Sequence, residues 1–255
     1  MAENSFKTAI SRIEPDSIRI KGYDITELME KKTFAETLYL LLKGELPSPA
    51  EAIMMEAILV SSVDHGVNTP SGLATRVVAS GGNPLNACIA GGILTVGESH
   101  GGAMEQCARI LQEWAAKGTD MTKIADELLA DMKKNNKRIP GFGHRQHATD
   151  PRTVKLFEIA KKNNFTGKHI ELAKALETKL TAASSKKLPI NVDGAIGAVM
   201  SDMGFDYRIG KGFFIVSRCA GLIAQAYEEI TRYKPMRKFS TADYEYDGPA
   251  NRQIG

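Results

Sequence analysis

The sequence predicts a mostly α-helical protein, and three observations support that prediction. Helix-starting patterns recur, such as Thr-Phe-Ala-Glu at residues 33–36 and Ser-Pro-Ala-Glu at 48–51, in which a hydroxyl and a carboxylate cap each other's backbone N–H groups. Apolar residues then repeat at helical spacing. No convincing set of alternating β-strands is present; a short mixed stretch at 10–25 favours at most a small hairpin turning at Lys21 and Gly22.

The helices are expected in a regular order along the chain. In the first part they fall at about 33–44, 48–64, 69–81 and 84–96. In the second part they run from Gly102 through Trp114, then at about 121–133, 151–163, 168–183 and 212–232. Two inserts, 139–152 and 184–194, are expected to be irregular. The helix at 84–96 is apolar nearly all round and is therefore predicted to be central.

Composition limits the classes of function. A chain of 255 residues can bury one large core or divide into two unequal parts. Its net charge of +3 argues against nucleic acid or an anionic membrane as the main partner. Cys88, Cys107 and Cys219 lie in apolar runs without a C-x-x-C spacing and are interpreted as reduced core residues. No signal-peptide core or membrane-length apolar run is present, so a soluble, cytoplasmic protein is expected.

The first insert has the composition of a binding loop. Pro140 has no N–H to donate, and Gly141 and Gly143, on either side of Phe142, allow a ligand to approach the backbone closely. His144 follows directly, where an imidazole can be held near a substrate. The insert is thus a candidate backbone cradle with an acid–base group beside it.

The end of the same insert predicts a helix start. Asp150 is placed to act as N-cap and Pro151 as the first helical residue, so Arg152 lies in the first turn, a position that suits an anion. The alternative interpretation is an ordinary Gly-Pro turn leading into a capped helix, and the stretch alone does not exclude it.

Other reactive side chains also flank helices. His100 precedes Gly101 at a predicted helix start, where the positive end of the helix dipole favours a neutral imidazole that can donate to an oxyanion. Asp193 is a carboxylate among apolar neighbours, and burial would raise its pKa and suit it to acid–base work. His65 precedes the Thr69 cap. For each residue the alternative is a structural role as a cap, turn or satisfied histidine.

The remaining motifs exclude several chemistries. His147 and His169 are interpreted as surface histidines. His65, His100 and His144 are about 35 to 45 residues apart in sequence, no pair has the H-x₃-H or C-x₂-C spacing, and no metal site is predicted. No phosphate-binding loop, dinucleotide fingerprint or serine nucleophile elbow is present.

The order of these motifs resembles the citrate synthase superfamily. The segments that carry the resemblance, in order, are IKGYDI at 20–25, TFAE at 33–36, LLLKGELP at 40–47, DHGVN at 64–68, GNP at 82–84, SHGGA at 99–103, PGFGH at 140–144, DPR at 150–152, NVD at 191–193 and SR at 217–218. The chain is shorter than a full citrate synthase between Pro47 and Asp64. With RIPGFGHR at 138–145 and INVDGAIG at 190–197, this compact form resembles citryl-CoA lyase and the C-terminal lyase module of ATP-citrate lyase.

The resemblance implies a mechanism. Citryl-CoA would be cleaved to acetyl-CoA and oxaloacetate by a retro-Claisen step, with His144 as base toward the citryl hydroxyl. His100 would stabilise the enolate, and Asp193 would protonate its carbon. The residues implied to bind the substrate carboxylates are His65, Arg152, Arg218 and Arg237.

The resemblance also implies how coenzyme A and the domains are arranged. Its phosphates would meet Arg145, Lys186 and Lys187, and its adenine would lie against the backbone of Pro140, Gly141, Phe142 and Gly143; no metal or prosthetic group is required. Residues 1–103 and 195–255 would form a large helical part, and 104–194 a small part that closes over the cleft. A homo-oligomer of two-fold dimers is expected. The alternatives are a compact citrate or methylcitrate synthase and a non-catalytic helical partner subunit.

Overall fold

The computed structural model describes residues 7–143, 150–183, 188–239 and 245–254. In these ranges the chain forms eleven α-helices, a short 3₁₀ helix (Tyr207–Ile209) and one small sheet. The helices are α1 (Ile25–Lys31), α2 (Phe34–Lys43), α3 (Pro49–Ser61), α4 (Pro70–Ser80), α5 (Leu85–Leu94), α6 (Gly102–Ala115), α7 (Met121–Lys134), α8 (Pro151–Lys162), α9 (Lys168–Ala183), α10 (Val192–Asp202) and α11 (Gly210–Arg232). The mostly α class predicted from sequence is confirmed.

The helix caps predicted at Thr33 and Ser48 are present. Thr33 accepts a hydrogen bond from the Glu36 N–H at 3.2 Å, and the Glu36 carboxylate accepts one from the Thr33 N–H at 2.9 Å. Ser48 and Glu51 form the same reciprocal pair at the start of α3. Gly44 ends α2 with φ of 89°, a conformation that costs a glycine little.

The expected hairpin is present and belongs to a three-stranded antiparallel sheet. Strand β1 (Ser11–Glu14) pairs with β2 (Ser17–Ile20), which pairs with β3 (Tyr23–Asp24). Lys21 and Gly22 have φ of 48° and 88°, the left-handed pair that suits a tight hairpin turn. Strand β1, which pairs with the other side of β2, and helix α1 were not predicted, because both are too short to leave a clear periodic pattern.

The central helix is α10, and the prediction that the helix at 84–96 would be central is wrong for the single chain. Ala195, Ile196 and Ala198 are fully buried in α10, whereas Leu94 of α5 is 85% exposed. Gly197 lets α10 approach α6 closely, since an added Cβ would lie 3.1 Å from the Ala108 nitrogen. Apolar composition indicates that a helix buries its faces but not whether its own chain covers them.

The second insert ends earlier than predicted. Residues 184–194 were expected to be irregular, but α10 begins at Val192, capped by the Asn191 side chain, which accepts from the Gly194 N–H at 3.2 Å. Asp193 therefore lies in the first turn of a buried helix. Two glycines and the small residues of this segment weaken its helical pattern, and burial against neighbouring helices compensates for that weakness.

His169 was predicted to be a surface residue, and the structure contradicts this. It is 9% exposed, and its Nδ1 lies 2.7 Å from Oδ1 of Asp202. The same carboxylate also accepts from the N–H groups of Gly167, His169 and Ile170 at 3.0–3.1 Å, and so caps the start of α9 from α10. Asp202 lies 33 residues away from His169 in sequence, so no local sequence pattern predicts this contact.

The proposed boundaries of the small part, at 103–104 and 194–195, fall inside α6 and α10. Division of the chain into a large and a small part stays a prediction. Among the described residues, no helix combines the length and apolar character needed to cross a bilayer.

The Asp202 cap generates a stability prediction. Asp202→Asn replaces one acceptor oxygen with an amide donor that faces N–H groups, so the free energy of unfolding should fall by about 2–3 kcal/mol. Urea unfolding followed by circular dichroism measures this. The control is Asp206→Asn, an exposed cap of the 3₁₀ helix that should cost much less; equal losses for the two variants would contradict the assigned role of Asp202.

Candidate active site

A cavity of about 190 Å³ opens where α4, α6, α8, α10 and α11 meet. It is lined by Ser62, His65, Thr69, Ser99, His100, Gly101, Arg152, Asn191, Val192, Asp193, Phe214 and Arg218. The starts of α6, α8 and α10 all reach it, so the positive ends of three helix dipoles meet there. This arrangement favours an anionic ligand. We call it the central cavity.

His100 and Arg218 meet in the central cavity through one hydroxyl group. The Ser71 Oγ lies 2.9 Å from Nε2 of His100, and Nη1 of Arg218 donates to it at 3.4 Å. Because arginine has only donors, Ser71 accepts from Arg218, and its own hydroxyl proton is available for donation to Nε2. In the tautomer that accepts this proton, a neutral His100 carries its own proton on Nδ1. An edge-on contact with Phe214, 5.4 Å between ring centres, fixes the imidazole plane.

Burial and a cation keep His100 neutral. Burial lowers the pKa of His100, and the positive charge of Arg218 lowers it further. Arg218 is itself 3% exposed, donates through Nε to the Ser62 carbonyl at 3.1 Å, and lies 4.6 Å from the centre of the Phe214 ring. A neutral imidazole with a fixed N–H can stabilise an oxyanion without giving up its proton.

Asp193 has the opposite electrostatic environment. Burial raises the pKa of its carboxyl group; the charges of Arg152 and Arg218 lower it, and that of Asp150 raises it. The side chain is partly accessible through the central cavity. Behind it lies the Cys107 thiol, whose pKa is raised to about 12 by burial and then by Asp193. Asp193 is therefore a carboxyl group that can gain and lose a proton.

Arg152 is held by its own helix cap. Its Nε and Nη2 donate to the two carboxylate oxygens of Asp150 at 3.0 and 2.9 Å, and its backbone N–H donates at 3.0 Å. The predicted cap at Asp150 with Pro151 at the first helical position is confirmed. The guanidinium is a quarter exposed and lines the central cavity, which leaves donors for a ligand.

Residues 140–143, which we call the glycine loop, pack against the start of α10. Asn191 donates through its N–H to the Gly141 carbonyl at 3.0 Å and through Nδ2 to the Gly143 carbonyl at 2.9 Å. Gly141 and Gly194 touch backbone to backbone, since a Cβ at Gly194 would lie 2.3 Å from the Gly141 oxygen. Both are glycine because no side chain fits between the loop and the helix.

The remaining candidate residues lie elsewhere. Pro140, Phe142 and the two loop glycines belong to the loop beside the start of α10 and are not among the residues that line the central cavity. Arg237 pairs with buried Glu229 through Nε at 2.6 Å and Nη2 at 2.9 Å, outside this chain's own cavity. The other candidates, His144, Arg145, Lys186 and Lys187, fall outside the described residues. No group of three or more His, Cys, Asp and Glu in the described ranges is placed to hold a metal ion.

Sequence reasoning missed the residues that orient the reactive groups. Ser71 lies in the first turn of α4, Phe214 and Ser62 have no reactive chemistry of their own, and Asn191 was known only as part of a motif. A serine near a helix start is common, so nothing in the sequence distinguishes Ser71. Its partners His100 and Arg218 lie 29 and 147 residues away, and only the fold brings them together.

The fold and the central cavity define a multi-helical protein with an acid–base carboxyl group, a neutral imidazole and arginines for an anionic ligand. Comparison with known proteins agrees. The citrate synthase C-terminal domain family matches residues 2–53 and 48–238. The solved citryl-CoA lyase of Hydrogenobacter thermophilus is 43% identical, with a TM-score of 0.90 over 98% of this chain and 97% of that one.

Two curated relatives are longer. The chain is 31% identical to citrate synthase 2 of Bacillus subtilis, covering 92% of this chain and 61% of that protein. It is 29% identical to a probable ATP-citrate synthase of Dictyostelium discoideum, covering 91% of this chain and 39% of that protein. The chain thus spans between two fifths and three fifths of their lengths. It belongs to the citrate synthase family.

The His100 environment generates a titration prediction. Because burial and Arg218 disfavour the imidazolium, His100 should stay neutral at pH 7 and gain its proton only below its ordinary pKa of 6.5. Two-dimensional NMR of ring ¹⁵N nuclei measures the midpoint, with the resonance assigned by its loss in His100→Gln. A midpoint above 6.5 would contradict the proposed neutral donor.

Proposed function

We propose that the protein is a citryl-CoA lyase, which cleaves citryl-CoA to acetyl-CoA and oxaloacetate. The observation that carries the proposal is the 43% identity to a solved citryl-CoA lyase over nearly the full length of both chains. The central cavity supports this proposal, because its lining includes five candidate residues from separate sequence motifs: His65, His100, Arg152, Asp193 and Arg218.

The cleavage step assigns a role to each group. A base removes the proton of the citryl hydroxyl; His144, outside the described residues, is the candidate from the family resemblance. The bond between the hydroxyl-bearing carbon and the methylene carbon breaks, and the former becomes the ketone of oxaloacetate. The electron pair moves onto the thioester as an enolate, whose oxygen accepts from Nδ1 of His100. Asp193 then gives its proton to the methylene carbon and forms the methyl group of acetyl-CoA.

The cations of the central cavity suit the carboxylates of this substrate. Arg152 and Arg218 face the same cavity as His65, and bidentate pairing of arginine with a carboxylate fixes both position and orientation. Coenzyme A enters as part of substrate and product. Its binding by Arg145, Lys186, Lys187 and the 140–143 loop stays a proposal, as does a substrate role for Arg237. All three cysteines are free, which supports a reducing compartment such as the cytoplasm.

A compact citrate synthase is the second candidate, favoured by the 31% identity to citrate synthase 2 of B. subtilis. It would run the carbon–carbon step in reverse, with Asp193 removing a methyl proton, and would then hydrolyse the thioester. The acid–base groups are shared by both activities, so the products distinguish them.

The deciding experiment incubates the purified protein with citryl-CoA and quantifies all four products. A lyase releases acetyl-CoA and oxaloacetate in equal amounts, with little citrate or free coenzyme A. Predominant citrate and free coenzyme A would establish the synthase-type hydrolysis instead. No turnover of either kind would leave the family membership intact and reject both activities.

Asp193 generates a prediction with two readouts. Asp193→Asn keeps the shape and removes the proton, so cleavage should slow by about 10²–10⁴-fold while coenzyme A still binds. Since burial raises the pKa of this carboxyl, its charged form destabilises the fold as pH rises. The variant should therefore melt at an equal or higher temperature at pH 7, and the difference should shrink toward pH 3.8, the ordinary pKa, where the native carboxyl is also protonated.

Asp206→Asn is the matched control for activity, because Asp206 is exposed and lies outside the central cavity. Full activity of Asp193→Asn would reject the acid role of Asp193 whichever product forms.

We further propose a two-fold dimer built on α5 and α11. Their outer faces expose Leu85, Leu94, Ile223, Tyr227 and Ile230, the last four by 45–85%. A cluster of exposed large apolar side chains on two packed helices is typical of a protein–protein interface. Because α5 is apolar nearly all round yet exposed in the single chain, a second copy is the natural partner for it.

The assembly prediction is a dimer or a multiple of it in light scattering at micromolar concentration. Leu94→Glu places a charge on the most exposed leucine of this surface and should shift the mass toward the monomer. Met29→Glu is the control, since Met29 is 78% exposed on α1, away from α5 and α11. A monomeric native protein would contradict the proposal.

A further inference from the structure

Asp150 does more than cap a helix. It is the first residue before α8, and an ordinary N-cap side chain accepts from backbone N–H groups of its own helix and remains accessible to water. Asp150 is fully buried, and a buried carboxylate is retained only where several donors compensate for the loss of water. Its hydrogen bonds show which donors those are.

Both oxygens of Asp150 accept hydrogen bonds from Arg152 of α8, and one of them also accepts from α10. Oδ1 accepts from the backbone N–H and Nε of Arg152, both at 3.0 Å. Oδ2 accepts from Nη2 of Arg152 at 2.9 Å and from the backbone N–H of Val192 at 3.1 Å. Val192 lies 42 residues further along and is the first residue of α10, directly before Asp193. One carboxylate therefore joins a cavity-lining guanidinium to the start of the helix that carries the acid.

We propose that Asp150 is a positioning residue of this enzyme, which fixes the Arg152 guanidinium relative to Asp193 by binding both Arg152 and the first N–H of α10. The inference rests on the proposed function only for its activity readout. Without Asp150, Nε and Nη2 of Arg152 would lose the carboxylate oxygens that accept from them, and the buried Val192 N–H would lose its acceptor. Arg152 would then be free to turn toward Asp193, the acid that lines the same cavity.

Charge supports the same assignment. Asp150 is a negative neighbour of Asp193, whose other charged neighbours are Arg152 on α8 and Arg218 on α11, with the neutral Cys107 thiol behind it on α6. His65 and His100 line the same cavity. Removing the Asp150 charge lowers the pKa of Asp193, and a turned Arg152 lowers it further. Cleavage needs protonated Asp193, so the loss of activity at high pH should begin at a lower pH.

An asparagine at this position separates capping from positioning. Asp150→Asn keeps Oδ1 as the cap for the Arg152 N–H, but its amide nitrogen is a donor that faces Nη2 of Arg152 and the Val192 N–H. We expect kcat/KM for citryl-CoA to fall at least tenfold and the alkaline limb of its pH profile to move to lower pH. Asp120→Asn is the matched control, since Asp120 caps α7 through Thr122 and Lys123 without an arginine or a distant partner. It should keep native kinetics.

A double-mutant cycle tests whether Asp150 acts through Arg152. In an Arg152→Lys background, Asp150→Asn should lower kcat/KM by a much smaller factor than it does in the native protein. Losses that multiply, or an unshifted pH profile, would overturn the proposal. If Asp150→Asn does not fold, Asp150→Ser, which retains a capping hydroxyl, enters the same cycle. Turnover of citryl-CoA by the native protein in the same assay tests the proposed function separately. If the native protein has no such activity, the affinity for oxaloacetate, measured by calorimetry in the same four proteins, still reports the coupling between Asp150 and Arg152.

Discussion

The carboxylate of Asp150 is the contact on which the geometry of the central cavity depends. It is buried, so its hydrogen bonds cannot be replaced by water; three of those described hold Arg152, and one holds the start of α10. Burial opposes its ionisation, but the hydrogen bonds and charge of Arg152 and the Val192 N–H hold its pKa below the usual range. It therefore stays charged, and the charged form accepts from both Arg152 and the first N–H of α10.

The helix α10 explains why such a contact is needed. Its first turn faces the central cavity, while the rest of it is buried, with Gly197 set tightly against α6. A helix in this position cannot shift without disturbing the core, so anything attached to its first turn is rigid. Asn191 attaches the glycine loop, and Asp150 attaches Arg152. Asp193 thus receives a fixed environment on both sides, as general acid catalysis requires.

Two reactive groups in the same cavity are pushed to opposite protonation states by the same means. Burial disfavours the charged form of each group. It lowers the pKa of His100, which favours the neutral imidazole, and it raises the pKa of Asp193, which favours the protonated carboxyl. Arg218 assists the first effect, and Asp150 assists the second. A neutral N–H donor beside a carboxylic acid is the combination that an enolate intermediate needs at its oxygen and its carbon.

The sequence by itself determined the helical class, most helix bounds, the caps at Thr33, Ser48 and Asp150, and the candidate residues, because capping and periodicity are local and short motifs retain their order. Only the tertiary structure decided that α10 is central, that α5 lies at the surface, and that His169 is buried against Asp202. It also decided which residues orient the candidates. The partners in those contacts are 29 to 156 residues apart in sequence, and a serine or asparagine acquires its role only when packing brings a distant partner to it.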